Sequence, residues 1–131
     1  MSQQNPNQDL SFIAAEDLSA DAAATTSQRF RALRLDSVAK QVEKPTAASD
    51  VVIGVQQNLP ASGKFVDVAV SGTTKARAAA AIAYGARVKI DAAGKFVTGG
   101  AGADRNWGIA LEAAGADGDI FEMLLTGLVV T

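Results

Sequence analysis

Residues 32–42 read ALRLDSVAKQV, and residues 86–97 read ARVKIDAAGKFV. Each stretch carries an aliphatic–basic–aliphatic triplet, Leu33-Arg34-Leu35 and Val88-Lys89-Ile90. Asp36/Asp91, Lys40/Lys95 and Val42/Val97 then follow at a constant offset of 55. Alternation with a period of two predicts strands, and the Asp that ends each triplet predicts a turn in which its carboxylate accepts backbone N–H groups two residues on. Working outward, DVVIGV (50–55) aligns with DRNWGI (104–109) at offset 54, pairing Asp50 with Asp104 and Gly54 with Gly108. ASGKFVDVAVSG (61–72) aligns with ADGDIFEMLLTG (116–127), pairing Gly63 with Gly118, Asp67 with Glu122 and Gly72 with Gly127.

The chain therefore reads as a unit that occurs twice, at 32–72 and 87–127, joined by an Ala-rich bridge at 73–86. Each copy runs strand, turn, strand, loop, strand, loop, strand. Two such units packed together would close one small core, so the predicted fold is mainly β: a small barrel or sandwich built from an internal duplication. Within KFVDVAVS (64–71), Val66, Val68 and Val70 share one face and Phe65, Asp67 and Ala69 the other. KARAAAAIAYG (75–85) fits either a helix, by its alanines, or a strand that ends in a bend at Tyr84-Gly85. Ala14–Gln28 reads as a loop, because no large apolar face recurs at helical spacing.

Residues 1–13 are expected to form an extended N-terminal arm, and residues 14–131 a single β domain. The opening MSQQNPNQ offers nothing to bury, and Pro6 blocks a helix. Leu10, Phe12 and Ile13 are the apolar residues that could anchor a docked strand. Deleting residues 1–13 is accordingly expected to leave the body folded.

Composition narrows the chemistry. The 131 residues include no His and no Cys, which excludes a Ser-His-Asp triad, a thiol nucleophile, an ordinary zinc site and a disulfide. No cofactor and no metal are expected. Of the 48% hydrophobic content, 27 residues are Ala, so the large apolar residues make a thin core, and burial against a partner or against further copies would add stability. Residues 1–28 carry four acids and no base, residues 29–107 carry all 12 bases against six acids, and residues 108–131 carry four acids and no base. The net charge of −2 gives no overall attraction to nucleic acid or to an acidic membrane. Neither a signal peptide nor a membrane span is read from the sequence, which predicts a soluble chain.

Each possible active group has a plainer explanation. Asp36 and Asp91 occupy equivalent places, as in a carboxylate dyad, but the strings Asp36-Ser37-Val38 and Asp91-Ala92-Ala93 lack the glycine that such a site needs, and turn opening is the favoured reading. GGAG (99–102) matches neither a P-loop nor a dinucleotide fingerprint and reads as a loop. Asp117, Asp119 and Glu122 do not have EF-hand spacing. Arg29, Arg31, Arg34, Lys40 and Lys44 have only Phe30 interleaved, so pairing with acids is favoured over nucleic-acid binding. Trp107 reads as core ahead of an interface anchor.

The strings DVVIGVQQNLPASGKFVDVAVSGTTK, AAIAYGARVKIDAAGKFV and GIALEAAGADGDIFEMLLTG, with AAEDLSA (14–20) and RFRALRLDS upstream, resemble the phage capsid cement, or head decoration, proteins over nearly all of residues 12–127. ADAAATTSQ (20–28) departs from the pattern and looks like a loop insertion. The resemblance implies a non-enzymatic protein on the outer face of the phage head, assembled in the host cytoplasm. It also implies homotrimers that clamp neighbouring major capsid protein subunits. On that reading Pro6, Leu10, Phe12 and Ile13 would contact the partner, and many modest contacts would act together. Two other classes remain: a β-barrel binding module such as a carbohydrate-binding domain, which would want more exposed aromatics than seven in all provide, and a hydrolase built on carboxylates alone.

Overall fold

A computed structural model describes residues 7–100 and 105–130, with side chains described for residues 9–100 and 105–126. Among the described residues all regular structure is β. Nine strands form one continuous sheet: β1 (Asn7–Ala14), β2 (Ala32–Leu35), β3 (Gln41–Glu43), β4 (Gly54–Gln56), β5 (Phe65–Arg77), β6 (Arg87–Ile90), β7 (Phe96–Thr98), β8 (Arg105–Ala110) and β9 (Ile120–Val130). Their order is β1-β3-β2-β4-β5-β9-β8-β6-β7, and β1 also pairs with β5. That last pairing closes the first five strands into a barrel.

The duplication is visible in the hydrogen bonding. β2 pairs antiparallel with β3 and β4, and β4 with β5; β6 pairs in the same way with β7 and β8, and β8 with β9. Leu33 lies opposite Gly54, and Val88 opposite Gly108. Gln57 N–H donates to Asp67 O at 2.8 Å, and Leu111 N–H to Glu122 O at 2.7 Å.

The segment 75–85 contains no helix. Its first part continues β5, whose 13 residues serve both halves. Phe65–Ser71 runs beside β1 and Gly72–Arg77 runs beside β9. Just beyond, Ala78 bridges Phe96 in parallel, as Ala14 pairs Val42 in parallel. Residues 73–86 are therefore more than a bridge: the Ala78–Phe96 contact joins the end of β5 to β7, so that β5, β9, β8, β6 and β7 form a second, barrel-like ring closed by a single bridge. Offsets in the backbone contacts show where the halves differ. Ala14 corresponds to Ala78 and Leu18 to Ile82, at offset 64, whereas Phe30 corresponds to Gly85 at offset 55. The first half is thus longer by nine residues between these points, the length of the ADAAATTSQ insertion.

Two cores result. The first holds Ala14, Leu18, Leu33, Val42, Val66 and Val68. The second holds their counterparts Ala78, Ile82, Val88, Phe96, Phe121 and Met123, with Ile90, Trp107, Ala110 and Ala114. Phe96 and Phe121 meet edge to face, with ring centroids 6.4 Å apart at 83°. Trp107 is buried, as core.

Candidate docking surface and the side chains that hold it

The groups weighed as possible active residues take the plainer roles at Asp36, Asp91 and Gly99. Asp36 accepts from Val38 N–H at 3.2 Å, and Asp91 from Ala93 and Lys95 N–H at 2.9 and 3.0 Å, so both carboxylates cap their own turns. Gly99 is packed against Asn106: a Cβ there would collide with the Asn106 side-chain oxygen, and Asn106 Nδ2 donates to Gly100 O at 2.8 Å. This half of GGAG is a packing site; Ala101 and Gly102 lie outside the described residues. No cluster of His, Cys, Asp or Glu capable of holding a metal occurs among the described residues.

Several of the basic residues are spent on the fold. Arg34 bridges Glu43 and Asp50, each at 2.9 Å. Asp50 also accepts Thr46 and Ala47 N–H at 2.7 and 3.1 Å. The bond from Thr46, followed by those from Ala47 and Arg34, holds the Asp50 carboxyl below the usual aspartate value. Lys44 lies 3.9 Å from Glu16.

Three cations grip the insertion. Arg77, only 5% exposed, donates from Nε to Arg29 O at 3.0 Å and from Nη1 to Ala24 O and Gly118 O at 3.1 and 2.9 Å. Arg31 donates from Nε to Ser27 O at 2.7 Å, and through its two Nη groups to Ala93 O and Thr25 O. Lys95 reaches Thr25 O at 3.1 Å and pairs with Asp117 at 2.6 Å. A guanidinium suits this task because its fork of donors satisfies several carbonyls at once. Sequence reasoning noticed the insertion but not its clasp, because nothing local in KAR (75–77) marks Arg77 as buried.

The N-terminal residues lie mostly in the barrel. Leu10, Phe12 and Ile13 belong to β1, while Pro6 lies outside the described residues. A boundary at residue 13 falls within β1, one residue before its end. Phe12 packs on the first core, and Leu10 lies opposite Val68 but is exposed. Ile13 lies opposite Phe65, which at 68% exposure is the most exposed large aliphatic or phenyl side chain described. Ser11 Oγ donates to Asp67 at 3.3 Å along the same outer face.

This face offers the apolar side chains of Ile13 and Phe65 beside the Ser11–Asp67 hydrogen bond. A family model described as phage cement protein matches residues 18–127. The chain belongs to the phage cement protein family. This is a family of structural proteins of the phage capsid, and it gives the chain a capsid-associated place in the virion. In fold, the chain is similar to the crystallised N base of the head fiber gp8.5 of bacteriophage phi29. The TM-score is 0.67 at 14% identity, over 95% of this chain and 99% of that one. No curated protein matches the chain.

Proposed function

We propose that the chain is a decoration protein that docks on the outer surface of the phage head and stabilises contacts between major capsid protein subunits, as a homotrimer and without catalysing a reaction. It is added in the host cytoplasm, after the shell has formed. The observation that carries this reading is the family match across residues 18–127. The described surface supports it, since Asp36, Asp50 and Asp91 are engaged in turns and Arg31, Arg34, Arg77 and Lys95 in ion pairs and carbonyl contacts. The partner-contacting residues are Pro6, Leu10, Phe12 and Ile13; the exposed Phe65 ring lies beside Ile13, while Phe12 also packs on the first core. Individually small contacts suffice, because copies bound across a lattice act together.

Mixing the protein with undecorated heads and sedimenting them tests this reading. Binding to heads, weakened by Leu10→Asp together with Phe65→Asp, is the expected result. A protein that stays in the supernatant at every concentration overturns it. Removing residues 1–13 is a poor version of the test, since it takes most of β1 and so opens the first barrel.

A further inference from the structure

The two halves interlock beyond the shared β5. Val55 is buried in the second core, whereas its counterpart Ile109 is exposed. The deeper interlock lies where the second ring closes. In the first ring β1 meets β3 at two paired positions, Ile13 with Gln41 and Ala14 with Val42. Ile13 N–H donates to Lys40 O at 2.9 Å, and Ala15 N–H to Val42 O at 2.8 Å. The second of these bonds has a counterpart in the other ring, Ala79 N–H to Phe96 O at 2.8 Å. The first does not. Its equivalent groups are Arg77 N–H and Gly94 O, and each is turned to another partner. Arg77 N–H donates to Phe30 O at 2.9 Å, and Gly94 O accepts Ala32 N–H at 2.8 Å. Residues 30–32 thus stand between the end of β5 and the β6–β7 turn, where the first ring has a direct bond. A Cβ at Gly94 would fall 2.9 Å from Ala32 O, so the turn closes on this segment with no room for a side chain. Phe30 and Ala32 also pack in the second core.

The insertion extends the same wedge. Each cation that grips it holds the second ring as well. Arg31 takes Ser27 O and Thr25 O together with Ala93 O in the β6–β7 turn. Lys95 takes Thr25 O together with the Asp117 carboxylate, and Arg77 takes Ala24 O and Arg29 O together with Gly118 O. Gly118 backs onto the insertion, since a Cβ there would lie 3.1 Å from Ala24 C and Thr25 N. The insertion gives carbonyls to these contacts while the side chains of residues 20–26 stay exposed, which is why alanines and threonines suffice. We propose that residues 24–32 are a strap, donated by the first half, that holds the second ring shut. With the strap seated, β5, the β6–β7 turn and the loop before β9 are joined through it. With the strap released, the Ala78–Phe96 bridge is left to close the ring, and the ring opens locally between β5 and β7 ahead of the first ring. The device lies in the chain's own conformation and is independent of head binding.

Amide exchange on the full chain, read residue by residue, tests it with Arg31→Met plus Lys95→Met. The amides of Ala79 and Gly118 should exchange at least tenfold faster than in the wild type, while those of Ile13 and Ala15 in the first ring keep their rates. Unchanged exchange at Ala79 and Gly118, or an equal rise in both rings, overturns the proposal. Asp117→Ala separates the strap from the ion pair, because it removes the carboxylate and leaves the carbonyl contacts in place. It should leave Ala79 protected, and an opening as large as that of the double variant would assign closure to the ion pair and overturn the strap. Should the double variant fail to fold, Lys95→Met alone gives the reading, with an expected rise of at least threefold at the same two amides and with unchanged rates overturning the proposal.

Discussion

The two barrels follow one hydrogen-bonding plan and fill it differently. Where the first places Val42, Val66 and Val68, the second places Phe96, Phe121 and Met123. The first is shielded on one outer face by the second and holds a long insertion, while the second keeps its larger core and leaves the equivalent face bare. A β framework is fixed by register and turns, so it tolerates this change in core volume as long as the inward positions stay apolar. The strand they share, β5, makes neither barrel complete without the other.

Substitutions at equivalent core positions should break the symmetry first. Phe121→Ala removes a ring that packs on Phe96 and should cost about 3–5 kcal/mol. Its counterpart Val66→Ala should cost about 2 kcal/mol, in proportion to the smaller group removed. Urea unfolding of the two variants measures the contrast, and equal losses would show that the cores are not equivalent. The glycines give the opposite expectation. Gly54→Ala and Gly108→Ala each drive a Cβ to 2.3 Å from a backbone oxygen, so both should destabilise by about 1–3 kcal/mol or more, whichever barrel they sit in.

Next in size is the clasp on the insertion, which only the first half carries. Arg77→Met would leave the carbonyls of Arg29, Ala24 and Gly118 without this partner and should cost about 3 kcal/mol. Arg77→Lys should recover little of it, because an ammonium cannot reproduce the fork. Thermal unfolding gives the loss. Amide exchange should place it in residues 20–29, and an insertion that stays protected would argue against the clasp.

A smaller effect is expected with acid in the loop between β3 and β4. The Asp50 carboxyl is held below its ordinary value chiefly by Thr46 N–H, so the unfolded chain binds the proton more readily than the folded one. The stability from Asp50 is therefore full above the ordinary aspartate value and is lost as pH falls through the lower folded value. Amides of Thr46 and Ala47 should gain exchange as pH drops below about 4, and Asp50→Asn should abolish that dependence.

Much of this architecture was legible in the sequence, and the illegible parts share a cause. The period-two runs, the Asp turns at 36 and 91 and the glycine pair 54/108 are local features, and they located the duplication from Ala32 onward. The correspondence of residues 11–18 with 75–82 was not legible. There the match is little more than small apolar residues, and the nine-residue insertion breaks the offset between this segment and the rest. The burial of Val55 against the exposure of Ile109 could not be read either, since both sit in the same local pattern and differ only in what packs across from them. The buried Arg77 falls in the same class, because its partners are carbonyls from distant loops.

The smallest expected effect concerns two left-handed residues. The turn after β2 spans Asp36 to Gln41, and its positive φ falls on Lys40 at 65°; in the other half, Gly94 takes φ 86° one position earlier. The second hairpin is thereby one residue tighter, pairing Ile90 with Phe96 where the first pairs Leu35 with Val42. A side chain in this conformation costs about 1–2 kcal/mol, which glycine avoids at an entropic cost of about 0.5–1 kcal/mol. Lys40 is exposed, so Lys40→Gly should stabilise the chain by up to about 1 kcal/mol. Phe30 has φ 66°, where its counterpart Gly85 has 83°, yet Phe30 also packs on the second core. Phe30→Gly should therefore destabilise despite relieving the same strain, because the lost burial outweighs it. Opposite signs in paired unfolding curves would show that Phe30 is kept for the contact it makes between the barrels, and equal signs would show that backbone strain alone governs both positions.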